Sequence, residues 1–192
     1  MTATTGGVEL AGVTLAQLHD VLAEPGRGPA GGSAAALATT MAAGLVRLVA
    51  RVSRDWEDAP GIAAQAAALG DRSLLLADDD HRAYGAALAE LEAPARDAAL
   101  GKALREAARV PLQIAETAAD VAALAALAAR EGADSVRGDA WAAAVLAEAA
   151  GTAAARLVHV NLATRPDDEL STRADLAVRA AVSARQVALA AT

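Results

Sequence analysis

The stretch that decides the fold runs from Arg27 to Val49 and reads RGPAGGSAAALATTMAAGLVRLV. A proline and paired glycines interrupt whatever precedes, and small apolar residues then follow without a charge until Arg47. Gly and Pro both oppose helix continuation, so a helix is expected to begin at about Ser33 and to end near Arg54. Small or apolar almost all round, such a helix is expected to be buried on several sides, centrally in a bundle or at a subunit interface. The glycines themselves admit two readings. They make a turn and nothing more, or they offer bare backbone N–H groups to an anionic or polar ligand at a helix N-terminus.

Composition extends the helical reading to the whole chain. Of 192 residues 55% are hydrophobic, yet there is no Phe, one Tyr and two Trp, so the core must be built from Ala, Leu and Val. Alanine has the highest helix propensity and lets helices approach closely, which argues for packed helices and against a β-rich fold. The length suits one domain, residues 1–192. With no cysteine, disulfides, thiolate catalysis and cysteine-based zinc sites are excluded. The beginning MTATTGGVEL lacks a basic segment followed by an apolar one, and no run is read as long enough to span a bilayer, so a soluble cytoplasmic protein is expected. A net charge of −7 without a dense basic cluster opposes nucleic acid and acidic membranes as partners.

Along the chain, Thr14 stands three residues before Gln17 in the pattern of a capping box, ahead of Leu15, Leu18 and Leu22 on one helix face. A third helix is expected from about Pro60 to Glu92. Pro94 and Pro111 then bound a segment, with Pro111 either a kink or a new start. GADSVRGD breaks the pattern, a further helix runs from Ala140 into Asn161–Ala163, TRPDDE turns, and a last helix starts near Leu170. No strand pattern competes, and the expected architecture is an all-α bundle of six to eight helices.

Chemistry is best sought where a costly side chain interrupts an apolar face. In the third helix Ile62, Ala66, Leu69, Ser73, Leu76, Asp80, Tyr84, Ala87 and Leu91 recur at steps of three or four, which puts Asp80 on the core stripe. Its neighbours complete an acidic run, DDDH, but consecutive residues diverge by about 100° on a helix, so the run reads as a solvated patch and not as a metal site. In the later helix Asp139 and Asn161 bracket an apolar stripe. Asp139 also reads simply as a helix-start carboxylate, and Asn161 as a satisfied core amide or a cap. His19 and His159 read as surface or interface residues, and no Ser/His/Asp order or phosphate loop is present.

Taken together these positions resemble the cyclodeaminase/cyclohydrolase family of folate enzymes, from about Leu15 to Leu162. The family's Pro-Gly-Gly-Gly-Ser is met by Pro29, Ala30, Gly31, Gly32 and Ser33, and its Asp-x-x-Ala-Phe/Tyr by Asp80, Ala83 and Tyr84. Its Ala-x-x-Val-Pro-Leu is met by Ala107, Val110, Pro111 and Leu112, and its Ser-Asp and Asn-Leu by Gly138, Asp139, Asn161 and Leu162. Departures are Ala30 for the first glycine, Gly138 for serine, Ala133 for a frequent asparagine, and no lysine near VSRDWEDAP, Lys102 being the only one. The resemblance implies a homodimeric all-α bundle acting on a tetrahydrofolate derivative without metal or cofactor. It implies Asp80 and Asp139 as catalytic carboxylates and Gly31, Gly32, Ser33, Tyr84 and Asn161 as substrate contacts. Hydrolysis of 5,10-methenyltetrahydrofolate to 10-formyltetrahydrofolate is expected ahead of formimino-tetrahydrofolate cyclodeamination, because the chain stands without a transferase domain. A diverged relative binding another ligand, and a purely structural helical protein, are the other readings.

Overall fold

The computed structural model describes residues 10–24, 30–92, 97–165 and 167–192; Pro29 and Pro94 lie outside them. The described residues form six helices and no strand. These are α1 (Leu15–Ala23), α2 (Gly31–Val52), α3 (Ala59–Glu92), α4 (Asp97–Glu131), α5 (Arg137–Asn161) and α6 (Glu169–Ala190), with short 3-10 turns at Leu10–Gly12 and Asp134–Val136. The capping box at the start of α1 is formed as read: the Thr14 hydroxyl receives Gln17 N–H while the Gln17 side chain receives that of Thr14.

Pro111 neither starts nor ends a helix. It lies buried inside α4, which runs unbroken for 35 residues. An interior proline leaves a carbonyl one turn back without its N–H partner and costs on the order of 3 kcal/mol. Burial of Leu112, Ile114, Ala115 and Ala118 immediately after it offsets that cost, because α4 is the element against which α3, α5 and α6 all pack.

Alanine sets the closeness of these contacts. A Cβ placed on Gly151 of α5 would lie 3.3 Å from Ala118 Cβ of α4, and one on Gly70 of α3 would lie 3.4 Å from Ala43 Cβ of α2. Helices at such separations exclude larger side chains, so the core is a mosaic of alanines punctuated by a few branched residues. At one end Val46, Val49, Ile62 and Val121 meet the alanines of α4 and α5; at the other Leu76, Leu112, Ile114, Val158, Leu162 and Leu170 do so. The helices α2 and α5 run in opposite directions, since Gly31 at the start of α2 meets Leu157 near the end of α5.

The expectation that no segment is long and apolar enough to cross a membrane is corrected. By length and composition three helical stretches are, Gly31–Val52, Leu100–Glu131 and Asp134–Asn161, with mean hydropathy 1.5, 1.4 and 1.2. Alanine raises hydropathy at almost every position, so isolated charges such as Arg47 no longer break the average. In this fold the three pack against one another and against α3 and α6, which buries 50%, 67% and 44% of them.

Charged residues fasten the last helix to the bundle. Arg105 of α4 holds Asp168 at 2.8 Å, and Asp168 in turn receives Leu170 N–H as the N-cap of α6. The Arg105 guanidinium and the capping bond hold the Asp168 carboxyl below its ordinary range. Arg173 reaches Glu116 at 2.7 Å, and His159 reaches Asp175 at 2.9 Å, joining α6 to α4 and to α5.

Candidate active site

The site forms where α3 crosses the start of α2. Ser33 is fully buried and its hydroxyl donates to the Ala77 carbonyl at 2.8 Å, leaving its oxygen 3.3 Å from Asp80 Oδ2. The Ser33 backbone N–H also points to the Asp80 carboxylate. Asp80 is therefore an N-terminal cap supplied to α2 from another helix. It answers free donors that Ala30, the residue preceding the helix, leaves without a side-chain acceptor.

Gly32 makes this possible. A Cβ on Gly32 would lie 2.1 Å from Asp80 Oδ1 and 2.4 Å from its Cγ, so the carboxylate occupies the volume a side chain would need. One of the two readings of the glycine pair is thereby redirected: the group that the bare backbone admits is, in the first place, the protein's own Asp80. At Gly31 a Cβ would instead make ordinary contact with Leu157, 3.7 Å away.

Asp80 is only 7% exposed, and burial pushes its carboxyl above the ordinary range. The hydrogen bonds from Ser33 and the nearby His81 act the other way without cancelling it. The Ser33 hydroxyl has one proton, placed between the Ala77 carbonyl at 2.8 Å and Asp80 Oδ2 at 3.3 Å, and it donates to one or the other. A buried carboxyl whose hold on its proton is tightened in this way is a candidate for general acid–base chemistry.

The rest of the DDDH run does not form a uniform solvated patch. Asp78 Oδ1 accepts the Leu10 backbone N–H at 2.8 Å, Asp79 pairs with Arg82, and the His81 Nδ1 atom is buried without a hydrogen-bond partner. Only Asp79 behaves as that reading expects. Among the described residues no His, Asp and Glu groups gather as a metal site would require.

Most of the residues picked from the sequence come to this end of the bundle. Gly32, Ser33 and Asp80 touch. Tyr84 lies one turn beyond Asp80 on α3, with 41% exposure, and Asn161 is half-buried one turn beyond Leu157, whose side chain meets Gly31. Asp139 does not join them within one chain. It sits in the first turn of α5, 18 residues before Leu157, which at about 1.5 Å per residue is roughly 27 Å along the helix. Neither tryptophan closes the Asp80 end: Trp56 stands between two open hollows of about 410 and 490 Å³ beside the far end of α2, and Trp141 is partly exposed near the start of α5. The Ser33–Asp80 pairing and the Leu10–Asp78 bond were invisible to sequence reading. They join residues 47 and 68 positions apart, and no local pattern encodes them.

An all-α helical bundle with a buried carboxyl seated at a glycine-opened helix start is the class that fold and site define. The chain belongs to the formiminotransferase-cyclodeaminase family, whose model matches residues 14–180. A crystal structure of formiminotetrahydrofolate cyclodeaminase from Thermotoga maritima is similar over 93% of this chain and 94% of that one, with TM-score 0.84 and 22% identity. The likeness to it is one of fold. A comparison with curated proteins gives no match.

Proposed function

We propose that this protein is a folate one-carbon enzyme acting on the carbon bridge between N5 and N10 of tetrahydrofolate, with hydrolysis of 5,10-methenyltetrahydrofolate to 10-formyltetrahydrofolate as its reaction. The observation that carries the reading is the buried Asp80 carboxyl held on Ser33 at the start of α2. The methenyl bridge is a delocalised amidinium cation. An ionised Asp80 beside it stabilises the cation and accepts a proton as water adds to the bridging carbon. The C–N5 bond of the hydroxyl adduct then breaks, with the first proton passed from Asp80 to N5 and the hydroxyl proton released to solvent as the C=O bond forms, and the formyl group stays on N10. Tyr84 and Asn161, at the same end, are the proposed contacts to the ligand's rings and polar edges. Asp139 enters the proposal only as a group remote from Asp80 in the same chain.

A second reading is favoured by a specific finding. The similar structure from Thermotoga maritima is described as a cyclodeaminase, and it is covered almost entirely by this chain, which supports cyclodeamination as the alternative. The cyclodeaminase reaction closes formimino-tetrahydrofolate to the methenyl compound and releases ammonia, with Asp80 protonating the leaving nitrogen. One assay separates the two. The methenyl chromophore disappears if the protein hydrolyses it, and it appears together with ammonia if formimino-tetrahydrofolate is the substrate. Activity in neither direction overturns the proposal. The same reading has the protein working in the cytoplasm as a homodimer, without metal or cofactor.

A further inference from the structure

The end of α2 remote from Asp80 carries a tryptophan and two arginines that the proposed chemistry does not use. Trp56 is half-buried and rests in part on the core cluster that contains Val49 and Ile62. Filling space does not require it, since the chain packs its close helices on alanine and without a single Phe. The indole instead divides two hollows of about 410 and 490 Å³, a size that suits a small ligand. Charge sorts between them. The first is walled by Ala50, Ala59 and Ala63 and carries Arg51, Arg54 and Glu57, whereas the second carries Asp58 and Glu131 and no cation. Both arginines are exposed, and among the described residues neither is ion-paired, unlike Arg105, Arg130, Arg137 and Arg173. Arg51, in the last turn of α2, also suits the negative end of the helix dipole; Arg54 lies beyond the helix and has no such role. The turn that bears Arg54 and Trp56 is fixed. Trp56 N–H donates to the Ser53 carbonyl at 3.2 Å, Ala59 N–H donates to the Trp56 carbonyl at 3.1 Å, and the Ser53 hydroxyl ties the turn to Ala133. Two guanidiniums and an aromatic ring are thus held around one hollow, on a protein whose net charge is −7.

We infer that the first hollow binds a small aromatic carboxylate, with its ring against the Trp56 indole and its carboxylate on the Arg51 and Arg54 guanidiniums. A guanidinium matches a carboxylate with paired N–H donors, and an indole offers a flat apolar face, so the two together select an anion that carries a ring. Glu57 opposes a second negative charge on the ligand and thereby favours a monoanion. The inference does not depend on the folate reading, because the length of α2 separates this hollow from Asp80.

The two indole N–H signals of the nitrogen-15-labelled full chain test it, with Trp141→Phe assigning which is which. Titration with benzoate is expected to shift the Trp56 signal saturably and to leave that of Trp141 in place. The double variant Arg51→Gln/Arg54→Gln, which alters only exposed side chains, is expected to bind benzoate at least about tenfold more weakly while keeping its helical content and melting temperature. Benzamide, which keeps the ring without the charge, and cyclohexanecarboxylate, which keeps the charge without the aromatic face, are each expected to bind at least about tenfold more weakly than benzoate. A Trp56 signal that does not move or does not saturate, unchanged affinity in the double variant, or equal binding of either analogue overturns the inference. A Trp56 shift that grows with protein concentration in the absence of benzoate assigns the hollow to a second copy and overturns it as well. Each of these outcomes leaves the folate reading to be judged by the methenyl assay alone.

Discussion

Asp80 and Gly32 are one device at the scale of the residue. The carboxylate fills the place of a glycine Cβ, so Gly32→Ala is expected to displace it and to cost about 1–3 kcal/mol of stability, measured by urea denaturation. The effect falls on folding first, because the group that a side chain at Gly32 displaces is the protein's own carboxylate. In a double-mutant cycle Asp80→Gly is expected to recover part of that loss, and additivity of the two changes would contradict the contact. For catalysis, Asp80→Asn is expected to keep the fold and lower turnover of the methenyl substrate by roughly 10²-fold or more. The same variant reports the linkage. Because burial raises the Asp80 pKa above 3.8, the folded protein binds this proton more tightly than the unfolded chain does. The contribution of Asp80 to stability is therefore fully present below that value and is lost as pH rises through the folded pKa. The melting temperature of wild type relative to Asp80→Asn should fall with rising pH across that window and then level off. A difference constant with pH would mean that the carboxyl is not perturbed.

Elements meet at two junctions of opposite kind. The start of α2 is closed by Asp80 from α3, while its end is closed by Ser53, which donates to the Val49 carbonyl at 2.7 Å and receives Ala133 N–H at 2.8 Å. Gly132 beside it has no room for a side chain, since a Cβ would lie 2.7 Å from a Val49 methyl. Ser53→Ala leaves the Ala133 N–H without its partner and is expected to cost about 1–3 kcal/mol. With α2 spanning 22 residues, roughly 33 Å at 1.5 Å each, the loss should leave turnover at the Asp80 end unchanged. A matched fall in activity and stability would show that the two ends of α2 are coupled.

At the scale of the whole molecule, we propose that the dimer forms through the exposed faces of α2 and α5. The antiparallel pair α2 and α5 leaves Met41, Leu48 and Val52 exposed on one helix and Trp141 and Val145 on the other. Side chains of this type at recurring helical positions are what an isologous contact buries. Sedimentation of the wild type at micromolar concentration is expected to show a dimer, and Met41→Glu/Leu48→Glu a helical monomer. A wild-type monomer would remove the dimer from the proposal.

The sequence by itself determined the helical class, most helix boundaries, the capping box at Thr14 and the place of Asp80 on a buried stripe. Each follows from local periodicity, propensity or turn chemistry, which act over a few residues. It left Pro111 open between a kink and a new start, because continuing a helix through proline depends on what the following residues bury. It grouped Asp80 with Asp139, because each interrupts an apolar face and nothing in such a pattern measures the distance between helices. The tertiary structure decided those matters: it ran α4 through Pro111, set Asp139 far along α5 from Asp80, and seated the Asp80 carboxylate on Gly32. The physical reason is that a cap supplied from another helix is fixed only when packing brings distant residues within hydrogen-bonding reach, and alanine, which makes that approach so close, carries no pattern that says which helix will arrive.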